Sequence, residues 1–349
     1  MKKRCFVGFD GFIDTLARVV KSRQDSHNYT AFSSISQWAD SLKEAAGKSC
    51  NFELTEARLC AGGNAINVAR ALSALGYSVN CAANMGAPNC PLEIDPLFSP
   101  YISNFEQAIN LGAAGQTHAL EFQDGKLLLG IQGKNANLTL SDLEKVLGAH
   151  WAHDFIWNHE LIALVNWTMT PNLGKIWRHL ALHPPKQAQK HTLLIDLADP
   201  KKRNSKELAR DLYELEPLCN EGVKVILSMN RSEAEQVLAA LGEKPLEKES
   251  LSETLSLIAE QIRQKLPGFV IVVHDSQLSV LSQNSQTFVR LGEIIKSPRV
   301  LTGGGDHFNA GLAHGLLQEK NPADCLDLAM KSAGYYIKNG QSPQSQDLS

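Results

Sequence analysis

Residues 301–317 read LTGGGDHFNAGLAHGLL, three consecutive glycines ahead of an aspartate. After Asp306 the apolar residues Phe308, Leu312, Leu316 and Leu317 recur at helical spacing, so a helix starts here with Asp306 in its first turn. Glycine costs about 0.5–1 kcal/mol relative to alanine inside regular structure, and a run of it marks backbone that turns sharply or approaches something closely. Two readings are open. Asp306 caps the helix by accepting from the exposed N–H groups of its first turn. Alternatively, the glycine amides, backed by the positive end of the helix, form an anion hole for phosphate.

Working outward, short apolar strands alternate with longer helical patterns. CFVGF (5–9), HTLLIDL (191–197), VKVILSM (223–229) and FVIVVH (269–274) read as buried strands. The stretches 65–76, 205–218, 231–242 and 254–266 read as helices that end at Gly or before Pro. This alternation predicts a mainly parallel sheet with helices on both faces. Two segments break the rhythm. Residues 115–133 flank Asp124-Gly125 and predict a hairpin, whereas 15–60 combine an amphipathic helix (34–46) with a strand (51–60). Together, as insertions over about 15–60 and 113–133, they suit a small lid on one domain spanning 1–349, with a polar tail, 340–349, expected to fray.

A second glycine site lies at CAGGNAINVARALSALG (60–76), where Gly62-Gly63 precede a helix with one buried face. It is either a tight turn or a place where Gly62, Gly63, Asn64 and Asn67 hold a hydroxylated ligand. Asp10 and Asp14 follow the first strand, where open α/β sheets bind ligands, and a carboxylate there can accept two hydroxyl hydrogen bonds from a polyol. A solvated loop acid is the plainer outcome. At SMNRSEAEQ (228–236), Asn230 and Glu233 are spaced for a capping box. The same oxygens could instead face the water shell of a Mg²⁺ beside nucleotide phosphates.

Composition excludes several classes. With 34 Lys and Arg against 37 Asp and Glu, the chain has no basic field for nucleic acid, and no segment has the apolar length of a membrane span. The seven cysteines form no CxxC pair and their number is odd, which suits reduced thiols and a cytoplasmic setting. There is no GxxxxGK[ST], and no GxGxxG follows a strand, which argues against a P-loop enzyme and a nicotinamide-linked dehydrogenase. HELIA (159–163) has Ala163 where a zinc-protease helix needs its second histidine, so His159 is read as structural.

In order along the chain, the Asp after the first strand, the GGN helix, the NRSE turn and the GGGD helix resemble the ribokinase or PfkB-type carbohydrate kinase family, over roughly Phe6 to Gly340. TGGGDHFNAGL is the most specific match. KNANLTLSDL (134–143), LIDLADPKKR (194–203) and LAMKSAGYYIKNG (328–340) are similar to further family stretches, the last to a closing helix near the adenine. The resemblance implies a ribokinase-like three-layer α/β/α sandwich with a small lid, and phosphoryl transfer from Mg·ATP to a hydroxyl of a sugar or nucleoside. It implies Asp306 as catalytic base, with Gly303, Gly304 and Gly305 as the anion hole. Asp14, with Asp10, Gly62, Gly63, Asn64 and Asn67, would hold the acceptor. Asn230 and Glu233 would organise Mg²⁺ through water, and Thr302, Asn309 and Lys331 would meet the nucleotide.

Three departures from the family pattern carry expectations of their own. Val300 stands where the family often has an Asp that helps bind a monovalent cation, which puts potassium activation in doubt. His307 replaces a small residue, and HDSQLS (274–279) lacks the usual glycine-rich nucleotide loop, so purine contacts are expected to differ. The alternative function is a non-catalytic sugar or nucleotide sensor on the same fold. The acceptor's identity stays open among sugars and nucleosides, and an exposed lid edge could pair two subunits. At Gly305 a positive φ is expected, so that a β-branched residue there would be ill suited.

Overall fold

A computed structural model describes residues 2–55, 58–186, 190–300 and 302–349. Leu301, at the head of the glycine stretch, and residues 56 and 57, within the strand expected at 51–60, lie outside the described residues. A nine-stranded sheet forms the middle layer, in the order Gln286–Leu291, Leu278–Gln283, Val270–His274, Lys224–Asn230, Thr192–Asp196, Leu161–Leu164, Arg4–Phe9, Ser78–Ala83, Gln107–Asn110. All strands from Val270–His274 onward run parallel, and the first two form an antiparallel edge.

Side chains alternate across these strands and build two cores. Phe6, Phe9, Ile162, Leu164, Val225 and Leu227 enter one core, beneath helices that include Leu173–Leu182, Ser205–Tyr213 and Leu251–Lys265. Cys5, Val7, Leu161, Ala163 and Ile226 enter the other, beneath helices Asn64–Ala74, Gly304–Leu317 and Pro322–Asn339. The result is a three-layer α/β/α sandwich. Leu161–Leu164, a central strand, begins inside the zinc-like HELIA stretch. His159 just ahead of it is a buried structural histidine whose Nδ1 lies 3.0 Å from Phe155 O.

A second sheet of four strands, ordered Gly125–Ile131, Gly115–Phe122, Phe12–Ala17, Arg58–Gly62, forms the lid. The hairpin predicted at Asp124-Gly125 pairs Phe122 with Gly125. Helix Ile35–Glu44 backs this sheet through Trp38, which stacks on Phe122 at 5.9 Å and joins Phe32, Val19 and Leu120 in a small separate core. Of the strand expected at 51–60, the described residues show Arg58–Gly62. Helix 205–218 is two helices, because Pro217 lacks the N–H that a continuous helix requires.

The tail, expected to fray, makes contacts with the sandwich. Ser345 Oγ donates to Leu75 O at 2.7 Å, and Leu348 is buried against the Phe308 core. No helix among the described residues is long and apolar enough to cross a membrane.

Candidate active site

The lid meets the sandwich at the carboxyl end of strand Arg4–Phe9. Lid strand Phe12–Ala17 pairs with Arg58–Gly62 so that Phe12 faces Gly62 and Asp14 faces Cys60. A Cβ on Gly62 would lie 2.1 Å from Asp14 Oδ2, so the missing side chain is what gives that carboxylate its room. Gly63 follows at φ 106°, with its Cα hydrogen position facing Gly11 Cα closely enough that a Cβ would sit 2.9 Å away. The turn delivers Asn64 and Asn67 along one side of a helix that has no side-chain cap of its own.

Asp10 caps it from across the chain, accepting from Asn64 N at 2.8 Å, Ala65 N at 2.9 Å and Asn166 Nδ2 at 2.9 Å. Asp10 is fully buried and capped into the structure, and it is not among the residues that line the cleft between lid and sandwich. Asn166, at φ 62°, sits just past central strand Leu161–Leu164 and also donates to Asn64 Oδ1 at 3.1 Å. Sequence reading missed it. The available signal was its position after an apolar run, the same signal that singled out Asp10 and Asp14.

The first turn of helix Gly304–Leu317 is opposite. Gly303 takes the left-handed conformation at φ 84° as the N-cap, with no side chain accepting from the turn. Among the described residues no backbone carbonyl accepts from the N–H groups of the next three residues, Gly304, Gly305 and Asp306. The first closing bond is His307 N to Gly303 O at 3.2 Å. Gly305 lies inside the helix and not at positive φ; a Cβ there would meet only His274 Cε1 at 3.9 Å, so the expected strain belongs to Gly303.

Asp306 accepts from Asn64 Nδ2 at 2.9 Å and Asn67 Nδ2 at 2.8 Å. Burial drives its pKa up to about 7, against the pull of the Asn67 and Asn64 bonds. His307 is pushed down to about 3, chiefly by burial, and is neutral. Its Nδ1 holds Gly303 O at 2.8 Å, its Nε2 meets Ser342 Oγ at 2.9 Å, and its ring lies flat on Tyr336 at 3.5 Å.

These groups surround a cleft of about 460 Å³ between lid and sandwich. Asp306, Gly303 and Thr302 form its floor, Asn64 and Asn67 one wall, and Asp14 with Thr117 the roof. Burial raises the Asp14 pKa, opposed by a Thr117 hydrogen bond and the charge of Lys126. Lys202 and Asp199, neither foreseen, complete the far wall.

A second cleft of about 580 Å³ is lined by Asn230, Arg231, Ser232, His274 and Asp275. His274 stacks on Phe308, on the helix that begins at the glycines, so the two clefts flank one helix start. Here Asn230 and Glu233 form the capping box: Asn230 Oδ1 accepts from Glu233 N at 3.0 Å, and Glu233 Oε2 accepts from Asn230 N at 2.9 Å. Glu233 Oε1 also accepts from Asp199 N at 3.0 Å, so both carboxylate oxygens are engaged by backbone N–H groups. Among the described residues no group of three His, Cys, Asp or Glu side chains is close enough to hold a metal ion.

Two further residues singled out in the sequence, Asn309 and Lys331, lie away from the cleft between lid and sandwich. Asn309 is buried one turn below Asp306, where its Nδ2 donates to Asp196 Oδ2 at 2.7 Å. Asp196 is itself held well above the usual carboxylate range by burial and by the nearby charges of Glu233 and Asp306. Lys331 lies on the closing helix beside a separate cavity of about 450 Å³ walled by Ile295, Met330 and Tyr335, and its Nζ donates to Leu348 O at 3.2 Å.

Comparison with known proteins agrees with this architecture. A family model described as prokaryotic ketohexokinase matches residues 1–349. The chain is 26% identical to a ketohexokinase of Haloferax volcanii over 351 aligned positions, covering 99% of this chain and 89% of that one. Among solved structures, a ribokinase of Cryptococcus neoformans in complex with ADP superposes with a TM-score of 0.69 at 14% identity, covering 99% of this chain and 98% of that one. An Arabidopsis thaliana ribokinase complexed with ribose and ATP gives 0.66 at 15% identity, covering 100% and 98%. A Methanocaldococcus jannaschii nucleoside kinase gives 0.63 at 13%, covering 99% and 96%. At such identities these structures establish the ribokinase fold.

Proposed function

Because the chain belongs to the prokaryotic ketohexokinase family, a family of carbohydrate kinases, we propose that it transfers the terminal phosphoryl group of Mg·ATP to a hydroxyl of a ketohexose bound beneath the lid. The observation that carries this reading is the pairing of a buried carboxylate with helix-start amides that have no backbone partner among the described residues. Asp306 is held by Asn64 and Asn67, and the N–H groups beside it have no partner in the helix.

The acceptor lies between Asp14 and Asp306, with Asn64 and Asn67 along its side. Asp306 Oδ takes the proton of the acceptor hydroxyl as its oxygen bonds to phosphorus and the bond to the nucleotide's leaving oxygen breaks. Phosphoryl transfer asks mainly for positioning and for stabilisation of charge on the moving oxygens, and preorganised amides supply that without rearrangement. Each such donor contributes roughly 2.7–4 kcal/mol in other oxyanion sites. A pKa near 7 suits a base that works at neutral pH.

Nucleotide phosphates enter from the His274 side, and Asn230 borders their path. Asn230 and Glu233, fixed by their capping box, would meet a Mg²⁺ through its water shell, and the ion would neutralise phosphate charge. The cavity at Ile295, Met330 and Tyr335 suits the purine ring, with Lys331 and other charged side chains on its lining. Potassium is not required on this reading. Val300 N bonds to Ile337 O, and Arg299 Nη1 brings a fixed positive charge to Asn339 O at 3.3 Å. We also read the exposed Leu128, Leu129 and Ile131 on the lid's edge strand as a contact between two copies of the chain, for sedimentation to test.

The deciding experiment is ADP release from Mg·ATP across ketohexoses, aldoses and nucleosides, alongside Asp306→Asn. Release that depends on a ketohexose and vanishes in the variant supports the proposal. Ligand-dependent thermal stabilisation without turnover on any acceptor sinks it in favour of a sensor.

A further inference from the structure

Behind the helix start lies a third cleft, of about 680 Å³, and its lining contains no Asp or Glu among the described residues. The other sizeable clefts each contain acids. This one presents Arg70 and Lys2 with the polar groups of Ser73, Asn104, Gln341 and Ser342. In a chain of net charge −3, an acid-free cleft with two cations is an anion receptor by composition.

Arg70 is held for such a task. Its guanidinium lies over Tyr101 at 5.0 Å and Tyr336 at 5.7 Å, and Nη2 makes one long contact of 3.5 Å to Tyr336 Oη. Nε is buried without a hydrogen-bond partner, and no carboxylate pairs with Arg70 among the described residues. A guanidinium has five N–H donors in a planar fork that matches phosphate, and aromatic faces hold that fork without using its donors. A structural arginine would be expected to spend more of them.

We propose that this cleft is a second ligand site, for a small phosphate-bearing metabolite bound by Arg70 and Lys2, and that its occupancy inhibits turnover. Two contacts join it to the reaction centre. Tyr336 packs against Gly303, where a Cβ would lie 3.1 Å from the ring, and also carries the stacked ring of His307. Ser342, in the cleft lining, bonds His307, which in turn holds Gly303 O. In addition, the charge of Arg70 favours the ionised form of Asp306. An anion on Arg70 cancels that charge, so fewer Asp306 side chains are ionised near neutral pH, and inhibition fades as pH rises. The site itself stands on the cleft; its coupling to turnover rests on the kinase reading.

Binding and turnover are therefore measured separately. Calorimetric titration with inorganic phosphate and with glycerol 3-phosphate uses enzyme saturated with a non-hydrolysable ATP analogue, Mg²⁺ and ketohexose, so that the reaction centre is filled. One ligand per chain is expected, weakened roughly tenfold or more in Arg70→Met and less in Arg70→Lys. Lys2→Ala, an exposed change that leaves basal turnover intact, weakens it several-fold. Failure to bind beside the analogue, or equal affinity in Arg70→Met and Lys2→Ala, overturns the site. In turnover assays the phosphate lowers rate near pH 7 without competing with ketohexose, and less so at pH 8.5. Binding with no effect on rate overturns the coupling and leaves the kinase reading untouched.

Discussion

Asn67 Nδ2 donates to Asp306 Oδ2 at 2.8 Å, joining the second glycine site to the first across 239 residues of sequence. The bond favours the ionised carboxylate and opposes the burial that raises its pKa. Hydrogen bonds to charged groups contribute about 1.5–3 kcal/mol, so Asn67→Ala should move the acid limb of the pH–rate profile upward by about one to two units. The profile of kcat/KM for wild type should be half-maximal near pH 7 and level off above about pH 8. An unmoved limb in Asn67→Ala would mean that Asp306 is not the group being titrated.

Asp306→Asn separates function from stability. Loss of a positioned general base costs about 10²–10⁴-fold in rate. The sign for stability is opposite. A carboxyl group whose folded pKa is raised binds its proton more tightly in the folded state, so its contribution is lost as pH rises from the ordinary carboxylate range to about 7. At pH 8 the variant should be more stable than wild type by on the order of 2 kcal/mol, since part of the gain is lost where an amide meets the Asn64 and Asn67 donors. At pH 4 the advantage should disappear. Denaturant midpoints at the two pH values check this, and equal differences at both would contradict the buried-charge account.

Much of this centre could be read from the chain because its parts are local. GGGD before a helical period, GGN before another and Asp14 past an apolar strand are each visible within a few residues, and Asp14, Asn64, Asn67, Thr302 and Gly303 do meet Asp306 in one cleft. What was hidden depends on distant partners. Asp10 and Asp14 look alike in sequence, and only the arrival of Asn64, Ala65 and Asn166 makes Asp10 a buried cap. Asn309 has helical spacing from Asp306 that cannot tell cleft from core; Asp196, 113 residues away, decides it. The capping-box alternative at Asn230 was legible, but the further bond from Asp199 N to Glu233 Oε1, 34 residues away, was not. The strand Leu161–Leu164 was too short for a periodic signal.

Gly303 and Gly305 should respond differently to alanine. Gly303 holds φ 84°, and a Cβ would press on Tyr336 at 3.1 Å, so Gly303→Ala should destabilise the fold by roughly 1–3 kcal/mol. Gly305 is helical and faces open space toward His274, so Gly305→Ala should leave the fold unharmed or stabilise it by up to about 1 kcal/mol. Its methyl group would nevertheless stand beside the amides offered to phosphate. Thermal midpoints with kcat and KM for ATP measured together test this: a stable Gly305→Ala with unchanged kinetics would remove Gly305 from the anion hole.

Asp14 and Gly62 form a pair whose variants should look alike. Asp14→Ala removes the carboxylate from the roof of the acceptor cleft. A loss shared by ground and transition states raises KM for ketohexose while kcat changes little. Gly62→Ala leaves Asp14 in place but puts a Cβ 2.1 Å from Oδ2, which forces the carboxylate out of position. Both should raise KM for the acceptor by about tenfold or more, the size expected from losing a charged hydrogen bond, with KM for ATP unaffected. The double variant should be no worse than Asp14→Ala alone, because Gly62 acts through Asp14. Additive losses would instead indicate that Gly62 admits the sugar itself.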